Sequence, residues 1–168
     1  MMLDKLHHLT IPSHINNIHM VERFVEDLCD YYNINNNYFG NILTAVTEAV
    51  ENAIFHGNKH DSSKKVYLKF EIKPEGYSFK IKDQGDGFNL DTIPDPTDIH
   101  GDFSKTEGRG LYIMKSLADS AIFHDNGTCV ELIFTVSSIT RQLSDDRINT
   151  YLKNIKNNQD VSKPKNKE

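Results

Sequence analysis

Residues 47–58 read TEAVENAIFHGN, and the rest of the chain is organised around them. Ala45, Val46, Ala49, Val50, Ala53 and Ile54 follow the three-and-four spacing of a helix face turned to a core. Between them Glu48, Asn52 and His56 recur every four residues. Four residues advance a helix by about 400°, so successive members are offset by about 40° and lie roughly 6 Å apart along the axis. A carboxylate, an amide and an imidazole therefore line one side of one helix, close enough for a small ligand to touch two of them. Gly57 and Asn58 supply a helix stop, which puts this polar stripe in the last turns.

Upstream, residues 6–11 alternate weakly and end at Pro12, as an edge strand entering a turn does, and Ser13 is placed to cap a helix. Ile15, Ile18, Val21, Phe24, Val25, Leu28 and Tyr32 predict a first helix to about residue 31. Its other face carries Glu22, Arg23, Glu26 and Asp27 and is either simply solvated or a docking face. An Asn-rich loop at 33–37 leads into the second helix, which runs from about residue 38 to Gly57.

Downstream, Val66, Leu68, Phe70 and Ile72 alternate with Tyr67, Lys69 and Glu71, predicting a strand with one buried face over 65–72. Pro74, Glu75 and Gly76 close a hairpin onto a second strand at 77–82. That strand runs directly into Asp83-Gln84-Gly85-Asp86-Gly87, a tight turn at a strand end. Residues 89–106 show little periodicity, and a connection of that length inside a small domain is either disordered or a functional lid. It closes on Gly108-Arg109-Gly110-Leu111, which opens the helical pattern Leu111, Met114, Leu117 and Ala118. Glycines at a helix start either expose N–H groups to a phosphate or merely permit close packing. A final hairpin joins 120–124 to 129–136 through Asp125-Asn126-Gly127-Thr128.

Composition limits what this arrangement serves. With 168 residues, 38% hydrophobic and 26% charged, the chain suits one α/β core plus a tail: residues 1–136 as the domain, 137–168 as a sparse helix and a polar end. The tail helix either docks a partner or packs back on its own domain. A net charge of −5 argues against non-specific nucleic-acid binding, and no apolar run reaches membrane-spanning length or signal-peptide form, so a cytoplasmic protein is expected. Cys29 and Cys129 are read as two free, mostly buried thiols, and none of the eight histidines has zinc-ligand spacing.

An ExxxN helix, a strand ending in DxGxG, a long loop closing on GxG and a hairpin with Gly-Thr, in that order, resemble the GHKL (histidine kinase-like) ATP-binding family. The resemblance covers residues 6–136. It implies a two-layer α/β (α+β) sandwich of the Bergerat type, with a mostly antiparallel mixed sheet packed on helices and ATP held under a flexible lid. It implies that Asn52 coordinates Mg²⁺ and that Glu48, one turn earlier, is the general base. On the same resemblance Asp83 would accept a hydrogen bond from the adenine amino group, Gly85 and Gly87 would admit the base, and Thr128 would add a polar contact. Gly108, Arg109, Gly110 and Leu111 close on the phosphates, with Lys105 an equal candidate to Arg109 for the charge. His56 is expected to make a structural hydrogen bond.

Within the family, a neutral imidazole acceptor needs no base whereas a serine hydroxyl or water benefits from one, so Glu48 points away from histidine phosphorylation. Residues 1–37 and 137–168 leave little room for dimerisation or transducer domains, and the spellings TEAVENAIFHGN and GRGLYIM resemble anti-sigma factor serine kinases. That group implies a sigma factor and a STAS-type antagonist protein as partners, and a homodimer. The alternative is a regulatory module that holds ATP without transferring phosphate and acts by sequestering a partner.

Overall fold

A computed structural model describes residues 7–87 and 109–135. The expected loop at 89–106, with Lys105, then Gly108, and the expected helix and tail at 137–168, lie outside the described residues. Five strands form one sheet: β1 (His8–Pro12), β2 (Lys65–Lys73), β3 (Gly76–Lys82), β4 (Ser120–His124) and β5 (Cys129–Thr135). Their spatial order is β1-β2-β3-β5-β4, and all four pairings are antiparallel. The expected "mostly antiparallel" sheet is therefore antiparallel throughout the described strands. β1 lies at an edge, where Pro12 costs no ladder bond on an inner strand.

Period-two alternation sorts the sheet into two faces. Val66, Leu68, Phe70, Phe79, Ile81, Val130, Leu132 and Phe134 are buried on the helix side, and register sets Phe70 beside Phe79 and Phe79 beside Leu132. Burying each such side chain contributes roughly 1.5–3 kcal/mol. Ile72, expected in this row, is 48% exposed, because it sits at the end of β2 just before the hairpin turn. The other face carries Tyr67, Lys69, Lys80, Lys82, His124 and Glu131.

Among the described residues three helices cover the apolar face: α1 (Ile18–Tyr31), α2 (Asn36–Asn52) and α3 (Arg109–Leu117). A short 3-10 turn, Ile15–Asn17, precedes α1. Its cap is His14, whose Nδ1 accepts the Asn16 N–H at 3.2 Å, and not Ser13, which is fully buried with its hydroxyl unpartnered among the described residues. Ser13 instead donates its backbone N–H to Lys64 O at 3.0 Å, which carries the chain past the edge of β2 before any helix begins. Asn35 caps α2, accepting the Asn37 N–H at 2.9 Å.

Ile42, Ala45, Val46, Ala49 and Val50 bury one side of α2 against α1, α3, β3 and β5. The helix carrying residues 47–52 is thus the central helix of the layer. Glu22, Glu26 and Asp27 on α1 are exposed. Cys29 and Cys129 are free and buried, and burial, reinforced by Asp30, pushes the Cys29 thiol up to about 11. Among the described residues no helix is long and apolar enough to cross a membrane.

Candidate functional site

The α-helical spacing that carries Glu48 and Asn52 gives way to a π turn after Asn52. α2 ends at Asn52, and Ala53–Gly57 form a wider π turn in which the Asn58 N–H reaches Ala53 O at 2.7 Å. His56 lies within that π turn. It is exposed, and the structural side-chain hydrogen bond expected of it is not found among the described residues. The helix does stop at Gly57 and Asn58, but not through a left-handed glycine. The left-handed backbone falls instead to Lys59 and His60, with φ of 56° and 61°.

Glu48 and Asn52 remain one turn apart, both half-buried, and converge on the start of α3. A Cβ placed on Gly110 would lie 2.9 Å from Glu48 Oε2, 2.9 Å from Asn52 Nδ2 and 3.1 Å from Asn52 Oδ1. Only a glycine lets the first turn of α3 sit so close to both side chains. Close packing is therefore one reason for this glycine, and the same packing brings the start of a helix, with its positive dipole end, beside a carboxylate and an amide. Glu51, one turn from Glu48 on the same helix, has its carboxyl raised by burial and then by the Glu48 charge. Arg109 is exposed, whereas Leu111 is half-buried and packs against the core.

The second half of the site is the turn after β3. Asp83 is 8% exposed, its N–H donates to Thr128 O at 2.9 Å, and its Oδ1 accepts the Gly85 N–H at 2.7 Å. Burial raises its carboxyl above the ordinary range, against the opposing pull of the Gly85 N–H, Lys64 and Lys82. The carboxyl lies on the bare α-carbon of Gly57, where a Cβ would collide with it; a Cβ on Gly85 would strike the Gly57 carbonyl. Gly87, at φ +79°, faces the Asn126 carbonyl, with Thr128 Cγ2 3.4 Å from where its Cβ would be. Both glycines of the turn thus have reasons within the protein. The Thr128 hydroxyl donates to Asp125 O at 3.0 Å, so its link to Asp83 runs through its carbonyl.

Two residues read only as a helix stop belong to this site. Gly57 is the seat of the Asp83 carboxyl, and Asn58, fully buried, accepts the Gln84 N–H at 2.8 Å and donates to Lys65 O at 3.0 Å. A polar amide just past a helix end was the available signal for Asn58; no local pattern marks Gly57 as a seat. Asn52 and Glu48 offer oxygen donors of the kind a hard cation takes, and a magnesium ion bound with phosphates needs only one or two from the protein. The donor set fits that ion.

A two-layer domain with a buried carboxylate at a strand end and an amide–carboxylate pair under a glycine-opened helix has the layout of an ATPase-type domain. The model of the histidine kinase-like ATPase domain matches residues 11–134, and the chain belongs to that family. Among curated relatives, the anti-sigma F factor of Anoxybacillus flavithermus is 34% identical over 96 residues, covering 55% of this chain and 66% of the relative. The anti-sigma F factor of Clostridium perfringens is 36% identical over 80 residues, 47% of this chain and 57% of the relative. The match spans less than two thirds of the length of either relative. A crystal structure of RsbU and RsbW domains from Mycobacterium tuberculosis superposes with a TM-score of 0.51 at 20% identity, over 77% of this chain and 34% of that one, a likeness of fold.

Proposed function

We propose that the chain is an ATP- and Mg²⁺-dependent serine-protein kinase and anti-sigma factor of a partner-switching system, acting on a small STAS-type antagonist and binding a sigma factor. The observation that carries this reading is the convergence of Glu48 and Asn52 on Gly110. Family membership and the names of the anti-sigma F relatives support it.

When bound, Mg-ATP supplies the transferable phosphoryl group and the charge neutralisation it requires. Asn52 Oδ1 presents an oxygen donor to the ion. The N–H groups at the start of α3 would hold phosphate oxygens of the nucleotide. Asp83 accepts from the base amino group, which relieves a carboxylate that burial leaves short of donors. Glu48 takes the proton from an incoming serine hydroxyl, a role that contributes about 10²–10⁴-fold in rate.

The test measures phosphate transfer from ATP to a purified small antagonist. Glu48→Ala is expected to lower the rate by about 10²-fold or more while ATP affinity stays within about threefold. Undiminished transfer by that variant removes Glu48 as the base. Tight ATP binding with no antagonist phosphorylated by the wild type favours the sequestering module instead.

A further inference from the structure

We propose that Asn58 is a positioning residue of the nucleotide site: it fixes the Asp83 turn against the end of α2 and so sets the preference for a base carrying an amino donor. The proposal rests on Asp83 being the base acceptor. Asn58 is 0% exposed, and a primary amide is buried without penalty only if its polar atoms are paired. Each is. Its backbone N–H closes the π turn on Ala53 O at 2.7 Å, and its carbonyl accepts the Asp61 N–H at 3.1 Å. Its Oδ1 accepts the Gln84 N–H and its Nδ2 donates to Lys65 O. A donor on one side and an acceptor on the other leave a single orientation for the amide.

What these bonds hold is specific. The Gln84 N–H belongs to the peptide joining Asp83 to Gln84, and the peptide before Asp83 is held by Thr128 O at 2.9 Å. Both peptides flanking Asp83 are thus pinned, one of them by the Asn58 side chain. Gln84 completes the clasp, its Oε1 accepting the Lys65 N–H at 2.7 Å. Through Asn58 the turn bearing Asp83 is tied to the π turn that begins one residue after Asn52. The buried Asn58 amide is then one of the ties that set the distance between the base acceptor and the phosphate end of the site. A hydrogen bond weakens steeply with small errors of distance and angle, so loosening this tie acts first on recognition of the base.

The experiment compares binding of ATP with inosine triphosphate, whose base has a carbonyl where adenine has its amino group, using the full 168-residue chain. Asn58→Asp keeps the shape and an acceptor for Gln84 but loses the donor to Lys65. The expected wild-type preference for ATP, about tenfold or more, falls to within about threefold in this variant. A variant that weakens both nucleotides equally, or only lowers the thermal midpoint, has lost a structural contact alone and overturns the proposal. Should Asn58→Asp not fold, Gln84→Ala alters an exposed side chain and is expected to narrow the same ratio by a smaller factor; an unchanged ratio there overturns it equally. A wild-type protein that binds both nucleotides equally well overturns the Asp83 assignment, and this proposal falls with it. Retained wild-type preference with an unaltered ratio in both variants overturns only the role of Asn58.

Discussion

Asp83 and Glu131 are both carboxylates under a tenth exposed, at 8% and 4%, one at the end of β3 and the other on the adjacent β5. Their surroundings drive them in opposite directions. Glu131, on the sheet face away from the helices, bears the desolvation cost of burial, yet Lys73, Ser78 at 2.6 Å, His124 at 3.2 Å and Lys80 at 3.8 Å more than offset it. Its carboxyl is held at about 2. Asp83 has one backbone N–H on its carboxylate, and burial wins. Glu131 is thus completed by its neighbours, whereas Asp83, the proposed base acceptor, is left short of donors. Such a shortage is what the proposed recognition role calls for.

The contrast breaks most visibly at Glu131. Because its folded value lies below the ordinary 4.5, it contributes stability that is fully present above pH 4.5 and is lost as pH falls from there toward about 2. Glu131→Gln is expected to cost on the order of 2–3 kcal/mol at neutral pH, lowering the thermal midpoint by about 10 °C and flattening that acid limb, with ATP affinity unchanged. Thermal melts between pH 2 and 7, beside ATP titrations, check both halves; a loss of ATP affinity matching the loss of stability would erase the distinction between the two carboxylates.

Asp83→Asn should show the mirror image. Its folded value is raised, so the folded state bears a cost that grows as pH rises through the ordinary value of 3.8 toward the higher folded one. Removing the charge therefore leaves the midpoint unchanged or higher at neutral pH, while calorimetric titration is expected to find ATP bound about 10–100-fold more weakly. Undiminished ATP affinity would return Asp83 to the fold.

The smallest effect sharpens the comparison from a position that touches neither carboxylate. Gly40 lies exposed within α2 with nothing near its missing side chain, unlike Gly57, which is pressed against Asp83, and Gly110, which is pressed against Glu48 and Asn52. Gly40→Ala should stabilise by about 0.5–1 kcal/mol, read by chemical denaturation, with nucleotide binding unchanged. A clear loss of stability would mean that space beside Gly40 is in use.

The periodicities of 3.6 and 2 and the turn signals Pro-Glu-Gly and Asn-Gly determined the helices, the two hairpins and the faces they bury. Each of those features depends on residues close in sequence. The pairing of Glu48 with Asn52 was legible for the same reason, since both stand on one helix. The tertiary structure alone decided the rest. The π turn that carries His56 is closed by Asn58, which is itself held by β2 and the Asp83 turn. The four donors around Glu131 come from β2, β3 and β4, and its place in a strand otherwise reading as core gave no local sign of them.

The twelve residues from Thr47 to Asn58 thus determined a helix with an apolar side and a carboxylate–amide pair upon it. That Gly57 seats Asp83, and that Gly110 brings α3 onto Glu48 and Asn52, depended on segments dozens of residues away. A glycine's missing side chain acquires meaning only from what approaches it, and that approach is a property of the fold.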